Sequence, residues 1–333
     1  MSLPTKDVVG ILSDNLRLRG SVLPLPARRA TRWARDLGLP RGGPTVLYTG
    51  MMYQLVPYVE QLSRVGERFA ASPLARFSGL ARWANRAVNG FGLALVARPS
   101  GRERAELDRV PANVARLLVD AGIVFGSLYE DDLYSGALAY DLGCDEVVAA
   151  HAARVAAILR RHGAREVITI DPHTTTMLRS VYPRLVDGYD VRVRTYLEVL
   201  AEARPPLGNA TLVPVADQSE VVVHDSCVFA RYEDVVDAPR QLLSAAGVKW
   251  REPAQAGKLT WCCGGPAESL YPAKAAKVAA KRVEQLRAVA PDCVTMCPIC
   301  LVNLRNSANG TLRIRDISEY LAARLPEGVR GGT

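Results

Sequence analysis

The sequence predicts an α/β protein made of two similar halves with parallel sheets, preceded by an N-terminal arm. Three observations carry this. Short, apolar, β-prone runs alternate with amphipathic helical stretches, the alternation occurs twice, and two stretches of the second half repeat stretches of the first. A chain of 333 residues is long enough for two such cores.

Residues 1–43 are rich in Arg, Pro and Gly and read as an arm with one short helix around Ala27–Leu37. Thr45–Thr49 is apolar and β-branched, ends at Gly50 and reads as a buried strand, and a helix is expected from Tyr53 to about Val65. Residues 66–105 are basic and only loosely amphipathic, and read as an insertion. Gly122–Gly126 is the second expected strand, Cys144–His162 a long helix, and Glu166–Ile170 a third strand ending at Asp171-Pro172-His173-Thr174.

The order then repeats. Val221–His224 reads as a strand, Tyr232–Ala246 as a helix, Cys262–Pro266 as a loop and Ala273–Ala288 as a helix. Cys293–Met296 reads as a strand, and Cys297 opens another helix. Asp171–Arg179 aligns with Cys297–Arg305, and Val191–Glu198 with Leu312–Glu319. A duplicated Rossmann-like unit explains this, with units at 44–206 and 207–333 and a boundary near Pro205–Asn209.

Composition narrows the function classes. No apolar run approaches the roughly 18 residues a membrane-spanning helix needs, and the start lacks a secretory pattern, so a cytoplasmic location is expected. The net charge of +8 includes an arginine cluster at Arg17, Arg19, Arg28, Arg29, Arg32 and Arg35. Without aromatic platforms or zinc-finger spacing this does not point to nucleic acid. It reads as a solvated face or a landing site for an acidic redox partner. Dinucleotide fingerprint, P-loop and nucleophile elbow are absent.

Five of the seven cysteines fall in the last third: Cys227, Cys262, Cys263, Cys297 and Cys300. The gaps are 34 residues from Cys227 to Cys262 and 33 from Cys263 to Cys297, and Cys297-x-x-Cys300 closes the set. Loops at the carboxyl edge of a parallel sheet bring such positions together. Thiolates suit iron–sulfur clusters or zinc, and five exceed the four of tetrahedral zinc. Gly264 and Gly265 free the backbone to approach inorganic sulfides. Buried free thiols, a zinc site or a redox dithiol at Cys297 and Cys300 are the simpler readings. Cys144 and Cys293 stand outside the pattern and read as core thiols.

On these residues the sequence resembles the cysteine-rich CCG domain in the B- and D-type components of heterodisulfide reductase, also found in iron–sulfur subunits of glycolate, lactate and glycerol-3-phosphate oxidation. The resemblance implies one 4Fe–4S cluster per chain, of the non-cubane type, on the five cysteines. It extends to the first half, where Thr49–Gln54 resembles the family's Thr-Gly-Cys-Met-Tyr-Gln with Met51 in place of the cysteine. Ser127–Glu130 stands near the Cys-Cys-Gly position, and Asp171–Thr174 replaces Cys-Pro-x-Cys, so this CCG repeat keeps its frame without ligands. Asn15–Gly20, Trp33 and Gly38–Pro40 resemble the stretch that follows a ferredoxin-like module in fused homologues.

The expected function is therefore that of an iron–sulfur subunit of a heterodisulfide-reductase-like complex, an oxidoreductase acting on a small or carrier-bound thiol or disulfide. Its partners would be a ferredoxin-like iron–sulfur protein, equivalent to the C-type component of such complexes, and a flavoprotein. The alternatives are an electron-relay subunit of a flavin-dependent 2-hydroxy-acid or quinone-linked dehydrogenase, and a structural zinc protein. Pseudo-symmetry places Asp171, His173 and Thr174 across the cleft from Cys297 and Cys300. His173, with Asp171, is then a candidate proton donor or base to a bound thiol, against the simpler reading of a capping Asp171 and Thr174. His224 is a candidate donor to a cluster sulfur, and His151 and His162 are expected on a surface-like helix without a role.

Overall fold

The computed structural model describes residues 5–23, 25–59, 61, 99–203, 220–267 and 270–325. Most of the expected insertion, and the expected boundary at Pro205–Asn209, lie outside the described residues. Among the described residues eight strands form two four-stranded sheets, parallel throughout. The first is built from β1 (Thr45–Tyr48), β2 (Gly126–Ser127), β3 (Glu166–Thr169) and β4 (Arg192–Thr195), in the order β2-β1-β3-β4. The second is built from β5 (Val221–His224), β6 (Trp250–Arg251), β7 (Asp292–Thr295) and β8 (Arg313–Asp316), in the order β6-β5-β7-β8. The α/β duplication expected from sequence is present, with one four-stranded sheet of the same strand order in each half.

The central strands are buried on both faces, which is why they read as short Val/Ile-rich runs without alternation. The repeat extends to side chains. After β3, Arg179 Nε donates to Val193 O of β4 at 3.1 Å, and after β7, Arg305 Nε donates to Ile314 O of β8 at 2.7 Å. Thr195 with Glu198, and Asp316 with Glu319, form capping boxes that start the following helices, Tyr196–Glu202 and Ile317–Ala322.

Several elements differ from expectation. Gly122–Gly126 is not a strand up to its last residue. Helix Gly101–Asp120 closes on Gly122 at φ +71°, with Ile123 N–H returning to Leu118 O, so the apolar run is taken up by a helix cap. That helix begins at a Ser100–Glu103 capping box inside the stretch read as an insertion. The helix expected at Tyr232 begins only at Asp237, because Asp234 adopts φ +58° and breaks the chain direction. The N-terminal stretch holds a 15-residue helix, Thr5–Arg19, and is packed: Leu16, Val22, Trp33 and Ala34 join the core. Arg17, Arg28, Arg29, Arg32 and Arg35 remain exposed.

The halves share one apolar core, in which Leu47 and Ile168 of the first sheet and Val222 and Val294 of the second take part. A buried hydrogen bond also joins them, from Tyr53 Oη to Asp316 Oδ2 at 2.6 Å. Tyr53→Phe leaves that carboxylate oxygen without its donor. Unfolding free energy is expected to fall by about 1–3 kcal/mol, read as a lower urea midpoint with unchanged slope. An unmoved midpoint would mean that this contact does not couple the halves.

Candidate metal centre

The carboxyl ends of β5 and β7, the two central strands of the second sheet, place the cysteines. Cys227 is the third residue after β5 ends at His224, and Cys297 the second after β7 ends at Thr295. Cys297 is the N-cap of helix Pro298–Ala308, which puts Cys300 one turn on, at the helix start. Cys262 and Cys263 come in on the loop before helix Pro272–Arg287. Cys263, Cys297 and Cys300 are buried, and Cys227 and Cys262 half-buried, so the group is open on one side.

The five sulfurs form one connected chain. Cys262 neighbours Cys227 and Cys263, Cys300 neighbours Cys263 and Cys297, and His173 lies against Cys297. These contacts hold Cys262 far below the ordinary thiol range, helped by Gly264 N–H at 3.3 Å from its Sγ. Burial opposes ionisation of Cys297, but the donors Cys300 and His173 outweigh it and hold it low as well. Hydrogen bonding to a neighbouring thiolate pushes Cys227, Cys263 and Cys300 up. The group thus favours ionisation at Cys262 and Cys297 over its other three sulfurs. Metal cations in place of the thiol protons would satisfy all five sulfurs at once.

A second layer surrounds the sulfurs. His224, Cys263 and Cys300 present ligand atoms that all lie within 4.8 Å of one another. Arg282 Nε donates to His224 Nδ1 at 3.1 Å, so the neutral ring carries its proton on Nε2, which is buried without a partner. Burial, then the Arg282 charge, hold the imidazole down at about 3, hence neutral. A buried N–H without an acceptor, beside five converging sulfurs, fits a sulfur-rich cluster better than four-coordinate zinc.

The structure brings together the five cysteines named from sequence and sets His173 beside Cys297. Burial pulls His173 down, but Cys297, Asp171 and Asp141 outweigh it and push it up to about 9. Asp171 caps its helix by accepting from Thr174 N–H at 2.9 Å, as the simpler reading held, and burial pushes it up to about 6. Three corrections follow. Gly264 is explained by packing: its φ is +93°, and a Cβ there would stand 2.5 Å from Ala275 O. His151 is buried, with Nε2 donating to Tyr134 O at 2.6 Å, and His162 pairs with Asp131 at 2.8 Å. Arg282 and Asp141 were missed. Arg282 was legible as a charge on the apolar stripe of Ala275, Ala279, Val283 and Leu286. Asp141, 4.0 Å from His173, left no sequence signal.

Gly264→Ala is expected to misplace the Cys262–Cys263 loop. The purified variant should carry less than about half the iron of the parent and a lower thermal midpoint, since the new methyl meets backbone. Full iron content would show that the loop can shift without cost.

In the first sheet the same positions hold other residues. Met51 is the third residue after β1, and Asp171 the second after β3. Ser127 Oγ accepts from Tyr129 N–H, and Glu130 pairs with Arg41 at 2.7 Å, so neither offers a ligand set.

Comparison with known proteins agrees with this geometry. Residues 221–305 match the family described as Cysteine-rich domain, CCG. The chain is 29% identical over 224 residues to a probable iron-sulfur-binding oxidoreductase, FadF, of Bacillus subtilis, covering 64% of this chain and 31% of that protein. It is 28% identical over 229 residues to an EtfAB:quinone oxidoreductase of Syntrophomonas wolfei, covering 64% and 31%. The D-type component of the dihydromethanophenazine:CoB–CoM heterodisulfide reductase of Methanosarcina mazei is 28% identical over 226 residues, covering 63% and 54%. The chain thus spans about a third of the length of the first two relatives and about half of the third. Its likeness is to iron–sulfur oxidoreductases and electron-transfer subunits, a class that implies an iron–sulfur cluster. Among the described residues no helix is long and apolar enough to cross a membrane.

Proposed function

We propose that this chain is the iron–sulfur subunit of a heterodisulfide-reductase-like complex, moving electrons at a single 4Fe–4S cluster of the non-cubane type. The supporting observation is the convergence of Cys227, Cys262, Cys263, Cys297 and Cys300 into one connected sulfur group with the unpartnered His224 N–H beside it. The five cysteines would hold the cluster, which supplies one-electron chemistry when bound. Cys263, Cys297 and Cys300 exclude water on the inner side, and the half-buried Cys227 and Cys262 mark the side open to a partner.

Such a subunit either splits a disulfide or relays electrons. Relay is favoured by Met51 and Asp171, which stand where a second ligand set would begin, so a disulfide cannot be shared between two clusters of this chain. Exposed Tyr232, Leu259 and Trp261 adjoin Cys262 and offer an apolar landing for a redox partner, a ferredoxin-like subunit or a flavoprotein. The exposed arginines of the N-terminal stretch give that partner an acidic character. His173 would hold a proton at Cys297. The test is iron and acid-labile sulfide analysis of anaerobically purified protein, with electron paramagnetic resonance on oxidised and thiol-treated samples. About four irons and four sulfides per chain are expected. About one zinc and no sulfide would leave the structural-metal reading instead.

A further inference from the structure

Residues 227–233 form one helical run, which starts at Cys227 and closes in the wide π-type turn Phe229–Glu233. Asp234, at φ +58°, ends it. Cys227 and Glu233 are thus the two ends of a single short element. The Cys227 end is half-buried, at the open edge of the sulfur group. The Glu233 end is held by the other half of the chain. Its side chain is 1% exposed, accepts from Ser180 Oγ at 3.2 Å and lies 3.5 Å from Arg179 Nη1. Helix Pro172–Thr176, which precedes Arg179, packs against the same run.

Arg179 is itself fixed within the first half. Its Nε donates to Val193 O, and both Nη atoms donate to Glu198, the capping-box residue of helix Tyr196–Glu202. A carboxylate as buried as Glu233 is costly without a cation, and a buried ion pair adds little stability that an apolar pair would not. What it supplies is a single defined placement. The repeat provides a contrast. Arg305, on the helix that carries Cys300, also reaches across the halves, to Glu106 at 3.4 Å. Glu106, however, is 34% exposed and shared with Arg102, so that crossing lies at the surface. On its other side the Cys227 run is tied to its own half. Arg231 Nε donates to Lys258 O at 3.1 Å, and Nη2 to Thr260 O, two residues before Cys262.

We propose that Arg179 and Ser180 act through Glu233 as positioning residues for Cys227, so that the half without the cysteines anchors one ligand of the other half's centre. This rests on the cluster reading above for the role of Cys227 and adds what sets its place.

The test is a timed iodoacetamide pulse on the anaerobically purified parent, Glu233→Gln, Arg179→Met and Glu106→Gln. Alkylation of Cys227 and Cys262 is read by peptide mass spectrometry, and iron and sulfide are measured on every sample. A cysteine reacts only while it is free as a thiolate, so the rate reports how often Cys227 leaves its place. Glutamine keeps the size of Glu233 and an acceptor for Ser180 but removes the ion pair. Cys227 is expected to react roughly fivefold faster or more in Glu233→Gln and Arg179→Met, with Cys262 within about twofold of the parent. Electron paramagnetic resonance of the iron-loaded samples should show altered g values in the same two variants. Glu106→Gln, which removes the surface crossing alone, should match the parent in both readouts. An unchanged Cys227 rate or unchanged g values in the folded variants overturns the proposal. So does equal acceleration of Cys227 and Cys262, or the same effect in Glu106→Gln, since either means that the halves have merely loosened. If Arg179→Met does not fold, Glu233→Gln decides alone. Acceleration confined to Cys227 in a chain that holds no iron or sulfide would support the anchor and overturn the cluster reading alone.

Discussion

Cys263→Ala is expected to reduce iron and acid-labile sulfide from about four of each per chain to near zero. Cys263 is the middle of the sulfur chain, in contact with Cys262 on one side and Cys300 on the other, and is 2% exposed. Neither solvent nor a neighbouring side chain can replace its sulfur. Cys300→Ala should behave alike, since Cys300 bridges Cys263 and Cys297. Cys227→Ser should retain part of the metal, because Cys227 lies at the half-buried edge where an oxygen ligand or water can enter. Cys144→Ala and Cys293→Ala are the controls. Cys144 accepts a hydrogen bond from Ser13 at 3.1 Å, and Cys293 lies within β7, so both should keep full metal. The readout is iron and sulfide content with the visible absorption of the thiolate-bound centre. Because ligand binding is coupled to folding, the metal-free variant should also unfold at lower temperature. A Cys263→Ala protein with full iron and sulfide would remove the ligand assignment and, with it, the single-cluster reading.

Much of this arrangement was legible in the sequence because the cysteines sit at topologically forced places. A central parallel strand ends, the chain turns, and whatever follows within three residues faces the same edge of the sheet. Cys227 after β5 and Cys297 after β7 are such positions, and so are Met51 and Asp171 in the first half. That is why cysteines at these places in one half, and other residues at the same places in the other, could be read from sequence. Apolar, β-branched composition also located β1, β3, β5 and β7, whose Val/Ile content is dictated by burial on both faces.

What stayed hidden was decided by long-range contacts. Edge strands such as Trp250–Arg251 and Arg313–Asp316 are too short and too polar to announce themselves, and they exist because β5 and β7 offer pairing edges. Gly122–Phe125 has the composition of a strand, yet a helix cap claims it. Gly264 read as room for sulfide until helix Pro272–Arg287 proved to pass against it. An apolar cavity between the halves is assembled from residues more than 200 positions apart, such as Val59 and Ala276, so no local pattern contains it.

Arg282→Met is expected to lower stability by about 2–4 kcal/mol and to move the centre's midpoint potential to a more negative value. Arg282 is fully buried, though it sits on a helix that could have turned it to solvent. Its guanidinium donates to His224 Nδ1 at 3.1 Å, Gln285 Oε1 at 3.0 Å, Gln255 O at 3.1 Å and Thr260 Oγ1 at 3.3 Å. These acceptors are neutral. Burial therefore holds its pKa below the ordinary value, opposed by the pull of Cys293, Asp225, Cys300 and Cys263. A buried cation on neutral acceptors is costly unless nearby anions offset it, and Asp225 and the sulfur group lie within reach of its charge. Methionine fills the space but removes the donor to Nδ1 of His224 and to the Gln255 carbonyl, and leaves Thr260 Oγ1 with only its bond to Asp225 O, hence the stability loss. It also removes a positive charge that favours the more reduced, more negative state, hence the direction of the potential shift. Arg282→Lys separates the two effects. It keeps the charge but cannot reproduce the planar fork that orients His224. The lysine variant should hold its potential close to the parent's while still losing stability in urea. Redox titration followed by electron paramagnetic resonance reads the first quantity, and denaturation the second. If methionine lowers stability but leaves the potential where it was, Arg282 only packs the domain. If lysine shifts the potential as far as methionine does, the orientation of His224, and not the charge, is what tunes the centre.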